Sequence, residues 1–259
     1  MQSLEQFTKS ETQIQYVFCD IDDTITEHGK LPANSYKALW DLKEKGIHVI
    51  PVTGRPAGWC EMIARFWPVS GVIGENGALY YRYVGGKMKR HYMLKEKDIQ
   101  KNRKKLDKLS KEILKKVKGS AISSDQFCRI FDLAVDFCED VKPLPKKKVD
   151  QIVEIFEKHK AQAKVSSIHV NGWFGKYDKL SMCKVFMKKE FKFDILKQNK
   201  LCAFIGDSPN DEPMFHFFVN SFAVHNITNF LDSLKHKPAF VTPSNGASGF
   251  VEFAEKILS

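Results

Sequence analysis

Close cysteine pairs and long apolar runs are missing from this chain of 259 residues. Its six cysteines are scattered, which argues against a zinc site, a redox motif or a disulfide scaffold. No apolar run approaches the roughly 18 residues that span a bilayer, and the polar N-terminal segment lacks the apolar centre of a secretory signal. These absences predict a cytoplasmic protein with reduced thiols and no membrane partner.

Arginine is also scarce, although the formal net charge is +10. Proteins that bind nucleic acids tend to use arginine for bidentate contacts to bases and phosphates. Here most basic residues are lysines, and many lie between Lys87 and Lys118. We interpret this segment as a solvated helix face and expect no nucleic-acid partner. The competing hypothesis is a basic module for nucleic acid or acidic protein, which predicts binding that weakens steeply with salt.

Strand and helix patterns alternate at both ends of the chain. The apolar run Tyr16–Cys19 reads as a strand, and helical spacing over 33–45 precedes a second strand over 47–52. A helix over 59–67 and a strand over 71–74 follow, and the same alternation resumes at Asp178. This order predicts an α/β fold with a doubly wound, Rossmann-like parallel sheet.

The middle of the chain has a different pattern. Two strand-like runs around Gly85-Gly86 predict a hairpin, and residues 95–118 have the apolar spacing of one helix face. A second amphipathic helix and two further strands follow. We therefore predict a core domain formed by residues 1–82 and 178–259, interrupted by an inserted α+β domain over residues 83–177.

Polar side chains follow the predicted strands of the core. In open parallel sheets, ligands bind beyond the carboxyl ends of the strands, so these side chains are expected to converge. Clustered carboxylates with few histidines or cysteines nearby favour Mg²⁺, and a metal beside a lysine favours phosphoryl transfer. The segments that follow the strands are Asp20 to Thr24, Thr53 to Arg55, Glu75 to Gly77 and Gly206 to Asp211.

Three of these segments, together with Lys179, resemble the motifs of the haloacid dehalogenase superfamily. Asp20-Ile21-Asp22-Asp23-Thr24 resembles its DxDxT signature, and Thr53 matches its second motif. Lys179 is similar to its third-motif lysine, and the "GDSPND" segment that starts at Gly206 is similar to its fourth motif. The long insertion resembles the cap domain of the type IIB branch, which includes Cof-like hydrolases and the sugar, sucrose and trehalose phosphate phosphatases.

The resemblance implies a role for each motif residue. Asp20 is the expected nucleophile and Asp22 the expected general acid and base, with Lys179 completing the catalytic set. Mg²⁺ is expected on Asp20, Asp207 and the main-chain carbonyl of Asp22. Thr24 is expected to hold the turn that follows Asp20, and Asp211 is expected to orient the phosphate, metal-bound waters or Lys179. The expected substrate contacts come from Thr53, Gly54, Arg55, Asn76 and Asn210.

The inserted domain is expected to cover the site and to contact the leaving group. Polar residues on its strands are the candidates, namely Arg129, Asp132, Asp136, His169 and Asn171. The resemblance implies a Mg²⁺-dependent phosphatase acting on a small phosphorylated metabolite, such as a sugar phosphate, in a monomer or weak homodimer. A phosphohexomutase of the phosphomannomutase kind is the alternative enzyme, because "GKYDKLSM" is also similar to the third motif of those enzymes.

Overall fold

The computed structural model describes residues 1–8 and 13–259. Across these residues the chain forms an α/β core and an inserted α+β segment, as the sequence pattern predicts. The strands are β1 (Gln2–Ser3), β2 (Tyr16–Cys19), β3 (His48–Pro51), β4 (Val72–Gly74), β5 (Leu79–Val84), β6 (Lys87–Tyr92), β7 (Ala121–Ile122), β8 (Asp132–Asp136), β9 (Gln162–Val165), β10 (His169–Trp173), β11 (Cys202–Gly206), β12 (Asn220–Ala223) and β13 (Phe240–Val241). The α-helices are α1 (Ala33–Glu44), α2 (Ala57–Phe66), α3 (Glu96–Lys116), α4 (Lys146–Lys158), α5 (Lys179–Phe186), α6 (Glu212–Phe217) and α7 (Gly246–Leu258).

The central sheet has six parallel strands in the order β1-β13-β12-β11-β2-β3. Side chains alternate between its two faces because the side-chain period of a strand is two residues. Val17 and Cys19 of β2 therefore join the core beneath α1, α2 and α7, whereas Tyr16 and Phe18 join the core beneath α5 and α6. Both faces are covered by helices, which is the doubly wound arrangement.

The strand over 71–74 departs from the expected topology. β4 touches the central sheet through one parallel bridge between Val52 and Ile73, and it pairs antiparallel with β5 in a separate sheet, β4-β5-β6. The hairpin β5-β6 thus extends the core, and Arg82 and Lys89 both contact the Glu190 carboxylate that follows α5. The predicted boundary at residue 83 falls inside this hairpin, and we propose that the inserted domain begins after Tyr92.

The inserted segment has its own sheet and its own apolar core. Four antiparallel strands run in the order β7-β8-β10-β9, and α3 and α4 pack against one face. The predicted apolar stripe of α3 is buried, with Leu106, Leu109 and Ile113 each at most 2% exposed. Lysines occupy the exposed side of this helix. Sequence reasoning missed β9, because "QAKV" is polar and largely exposed.

Among the described residues, no helix is long and apolar enough to cross a bilayer.

Candidate active site

Asp20 lies at the carboxyl end of β2, at the centre of the parallel sheet. Its backbone N–H donates to the Ile205 carbonyl of β11 at 3.0 Å, so the ends of these two strands lie side by side. Its carboxylate is 5% exposed and accepts a hydrogen bond of 2.8 Å from Lys179 Nζ. Lys179 is the first residue of α5, which Asp178 caps by accepting from the Ser181 N–H. The sheet and the helix start therefore bring together two residues that are 159 positions apart.

The "GDSPND" segment completes this group from the end of β11. Asp211 Oδ1 accepts from Lys179 Nζ at 2.7 Å, and Asp211 Oδ2 accepts from the Asp207 N–H at 3.2 Å. Asp207 Oδ1 accepts from the Thr24 hydroxyl at 3.3 Å. Lys179 thus bridges two carboxylates, while Asp207 has a carboxylate oxygen free of cationic partners.

The donor set fits a hard divalent cation. Carboxylate oxygens of Asp20, Asp207 and Asp211 lie within 4.8 Å of one another. Burial, together with neighbouring carboxylates, raises the pKa of Asp20 to about 7 and raises the pKa of Asp207 well above its usual range. The Asp20 and Asp211 charges raise the pKa of Lys179 against the effect of burial, so its ammonium is retained. Lys179 offsets part of the negative charge, and a cation on Asp20 and Asp207 would offset more.

Thr53 and Asn76 occupy the neighbouring strand ends. Thr53 is fully buried, and its hydroxyl accepts from the Arg55 N–H at 3.0 Å. The Asn76 N–H donates to the Thr53 carbonyl at 3.1 Å, and Asn76 adopts a left-handed conformation with φ of 56°. Gly77 follows at φ of 97°, where a Cβ would collide with the Asp178 carbonyl. The turn "ENGA" therefore permits α5 to approach the site closely.

Asp22 lies apart from the Lys179 group and is bound by Arg55. Arg55 Nη2 and Nε donate to Asp22 Oδ1 at 2.8 and 2.9 Å. The same guanidinium contacts Glu139 of the inserted segment at 3.2 Å. These carboxylates, Asp22 foremost, raise the pKa of Arg55 in spite of its burial. The Asp22 side chain therefore faces the inserted segment. The other predicted aspartates of the core, Asp20, Asp207 and Asp211, lie around Lys179.

Residues 17–127 match the family model described as haloacid dehalogenase-like hydrolase. The chain is similar to this family over that segment, which is less than half of its length. The match includes the first two motifs, and the structure brings the Lys179 and Asp207 segments to the same site from the C-terminal part of the chain.

Other similarities of this chain concern a short segment or the fold. The 5-amino-6-(5-phospho-D-ribitylamino)uracil phosphatase of Bacillus subtilis is 44% identical over 55 residues, which span 21% of this chain and 18% of that protein. A solved structure from Thermoplasma acidophilum has a TM-score of 0.73 at 17% identity and covers 95% of this chain and 100% of its own. Sucrose-phosphatase from Synechocystis in complex with sucrose and phosphate has a TM-score of 0.62 at 15% identity, covering 95% and 98%. At these identities the structural similarity establishes a shared fold.

Three of the predicted residues of the inserted segment reach the candidate site. Arg129, His169 and Asn171 line a narrow cleft together with Asp20 and Asp22. Arg129 Nη1 donates to the Gly54 carbonyl at 2.9 Å and thus contacts the core directly. Arg55 and Asn210, predicted as substrate contacts, line the same cleft, and Ser208 Oγ lies 3.0 Å from Asn210 Oδ1.

The two remaining predicted aspartates of the inserted segment are buried structural groups. Asp132 is fully buried and accepts from Arg129 and from Asn171 Nδ2, the latter at 2.9 Å. Asp136 accepts from the backbone N–H groups of Cys138, Glu139 and Asp140. Asp132 holds two cleft residues in place, and Asp136 holds the loop that carries Glu139.

Sequence reasoning missed Glu139, and it named Glu75 only as a strand-end residue without a role. Glu139 Oε2 lies 2.8 Å from His169 Nε2. Glu75 is fully buried and accepts backbone N–H groups from Ala57, Ile130, Phe131 and Asp132. The position of Glu75 at a strand end was the available signal, whereas nothing in the local sequence marks Glu139.

The turn after Asp20 is held by Thr26 rather than by Thr24, which we expected to hold it. Thr26 Oγ1 donates to the Ile21 carbonyl at 3.0 Å and accepts from the Asp23 N–H at 3.1 Å. Asp23 occupies the left-handed region with φ of 56°. Thr24 instead reaches Asp207, so it links the first and fourth motifs.

Proposed function

We propose that this protein is a Mg²⁺-dependent phosphatase that cleaves a phosphate monoester of a small metabolite through an aspartyl-phosphate on Asp20. The observation that carries the proposal is the Lys179 ammonium held between the carboxylates of Asp20 and Asp211, beside Asp207. A fixed cation beside a buried carboxylate can bind a phosphoryl group and stabilise the charge that it carries during transfer.

In the first half of the reaction, an Asp20 carboxylate oxygen attacks phosphorus and the bond from phosphorus to the ester oxygen breaks. Asp22 donates a proton to that oxygen, so the alcohol leaves neutral. Lys179 and the N–H of Gly54 contact the phosphoryl oxygens. Because Arg55 binds the Asp22 carboxylate through two nitrogens, it orients this residue toward the cleft.

In the second half, Asp22 accepts a proton from the water that attacks the aspartyl-phosphate. The acyl phosphate bond breaks, inorganic phosphate leaves, and Asp20 is regenerated as a carboxylate. Mg²⁺ bound to Asp20 and Asp207 would supply positive charge to the phosphoryl oxygens throughout. Asp211 keeps Lys179 beside Asp20, and Thr24 keeps Asp207 in position.

A sugar phosphate is the proposed substrate class. The structurally similar sucrose-phosphatase was solved with sucrose and phosphate, and the B. subtilis protein that shares a short segment is also a phosphatase. The cleft beside Asp20 is lined mainly by polar groups, including His169, Asn171 and Asn210. Polar lining suits a leaving group that carries hydroxyl groups.

The test is phosphate release from a panel of phosphate esters, with p-nitrophenyl phosphate as a general substrate. Asp20→Asn is expected to lower kcat by about 10³-fold or more, because the nucleophile is lost. Asp23→Asn is the matched control in the same motif, and it should stay within about threefold of the parent because asparagine tolerates the left-handed conformation. Removing Mg²⁺ with EDTA should abolish turnover.

Two outcomes would contradict the proposal. Full activity of Asp20→Asn, or activity unchanged by EDTA, would exclude the mechanism. Slow hydrolysis of a hexose phosphate together with isomer formation would instead identify the phosphohexomutase alternative, which needs a bisphosphate activator. Salt-sensitive binding of nucleic acid without turnover would favour a basic interaction module.

A further inference from the structure

A pocket of about 450 Å³ opens beside Lys179 and Asn210. This volume lies in the range of about 300 to 1,000 Å³ that small-molecule sites have. The pocket is separate from the narrow cleft that contains Asp20 and Asp22, although Asn210 lines both. A ligand whose phosphoryl group lies at Lys179 can therefore extend into it.

The pocket is formed between the core and the inserted segment. The core contributes Asn76 and the first turn of α5, and the inserted segment contributes Lys164 of β9 and Trp173 of β10. Tyr177, in the connection that returns to the core, also lines the pocket, and its ring stacks on Trp173 at 5.8 Å. Any molecule bound there would contact both parts of the chain.

Three residues that line this pocket each carry a buried polar atom without a partner within the described residues, namely Asn76 Nδ2, Trp173 Nε1 and the Tyr177 hydroxyl. Their side chains are at most 5% exposed. A buried polar group without a partner costs about 1 to 3 kcal/mol, and such groups in folded proteins commonly indicate a ligand or water. The amide nitrogen and the indole nitrogen can only donate, and the phenol can donate.

Two lysines add positive charge to the same pocket. Lys164 and Lys176 are exposed, and neither forms an ion pair with any residue that the structure describes. The Asp178 carboxylate, which also lines the pocket, accepts from the Ser181 N–H as a helix cap. The pocket therefore presents donors and cations, with few free acceptors.

We propose that this pocket binds the leaving group and selects substrates in which that group carries a second anion, either a carboxylate or another phosphate. The inference rests on the proposed phosphatase function, and it narrows the substrate class. An anion provides acceptors for the amide, the indole and the phenol, and it pairs with Lys164 and Lys176. A neutral sugar would leave the two cations without a charged partner.

The test compares matched phosphate esters that differ in one anionic group. 6-Phosphogluconate is paired with glucose 6-phosphate, 3-phosphoglycerate with glycerol 3-phosphate, and fructose 1,6-bisphosphate with fructose 6-phosphate. We expect the ester with the additional anion to have a kcat/KM at least about tenfold higher than its partner. A difference of this size corresponds to one charged hydrogen bond. The first two pairs report on a carboxylate and the third on a second phosphate.

Substitutions in the pocket then test which residues cause the preference for an anionic leaving group. Combining Lys164→Gln with Lys176→Gln should lower kcat/KM by about tenfold, mainly through KM, for esters whose leaving group is anionic. For esters whose leaving group is uncharged, kcat/KM should stay within about twofold of the parent value. Tyr177→Phe should also raise KM for the anionic esters. Lys111→Gln on the exposed side of α3 and Tyr83→Phe on the hairpin are the matched controls, and neither should change the preference.

The outcomes separate this inference from the proposed function. Hydrolysis of p-nitrophenyl phosphate without any preference for anionic esters would overturn the inference and leave the phosphatase proposal intact. A preference that survives the double lysine substitution would also overturn it. Absence of phosphate release from every ester, including p-nitrophenyl phosphate, would overturn both.

Discussion

Arg55 is the residue that connects the proposed acid and base, Asp22, to the inserted segment. Its guanidinium binds Asp22 through two nitrogens and Glu139 at 3.2 Å, and Trp59 covers it at 4.5 Å. This planar fork fixes a carboxylate more strictly than an ammonium group can. The orientation of Asp22 should therefore depend on arginine itself rather than on positive charge alone.

We predict that Arg55→Lys lowers kcat by about tenfold or more, because charged hydrogen bonds of about 1.5 to 3 kcal/mol are lost while the charge is retained. The measurement is steady-state phosphate release, accompanied by thermal unfolding to verify the fold. Arg65→Lys, in the exposed last turn of α2, is the control and should leave kcat unchanged. Equal kcat values for Arg55→Lys and the parent would show that Asp22 needs no such orientation.

Among the structural elements, the turn after β4 joins the core to the start of β8. The Glu75 carboxylate in this turn accepts four backbone N–H groups, three of them from the inserted segment at 2.6 to 3.2 Å. The residue is fully buried and adopts a left-handed conformation with φ of 44°. A single side chain thereby satisfies backbone donors of both parts of the chain.

Glu75→Gln is expected to lower the free energy of unfolding by about 2 to 4 kcal/mol, because an amide NH₂ would face backbone donors in place of an acceptor. Urea denaturation monitored by circular dichroism measures this change. Glu61→Gln on the exposed surface of α2 should change stability by less than about 1 kcal/mol. If both variants were equally stable, the four hydrogen bonds of Glu75 would contribute little to joining the two parts.

At the scale of the whole molecule, we expect stability and metal binding to be coupled through buried carboxylates. Burial raises the pKa of Asp20 to about 7 and that of Asp207 well above its usual range. Without metal, the folded chain then retains protons that the unfolded chain has released between about pH 4 and pH 7. The contribution of these groups to stability is present at low pH and is lost as the pH rises through about 7.

We predict that Mg²⁺ raises Tm more at about pH 8 than at about pH 5, by about 3 °C or more, because it binds ionised carboxylates and competes with protons. Thermal unfolding with and without Mg²⁺ at each pH measures the difference. In Asp207→Asn the Mg²⁺ shift should be absent at both pH values. A shift of the same size at both pH values in the parent chain would contradict the coupling.

The core motifs were predictable because each is encoded within a few residues of a strand end or a helix start. An apolar run followed by Asp20 and Asp22, or by Asp207, places these residues at the carboxyl edge of a parallel sheet, since neighbouring parallel strands end on the same edge. The helix cap Asp178 likewise marks Lys179 as the first residue of α5. Local sequence thus determined the class of fold and the composition of the candidate site.

Contacts between distant segments were decided by the tertiary structure alone. Arg55 and Glu139 are 84 positions apart, and Glu75 and Phe131 are 56 apart. Such pairs depend on how the inserted sheet packs against the core, which no local pattern specifies. The pocket beside Lys179 likewise exists because β9, β10 and α5 pack together. The sequence by itself determined which residues form the candidate site, and tertiary packing decided what surrounds them, because packing joins residues that the chain separates.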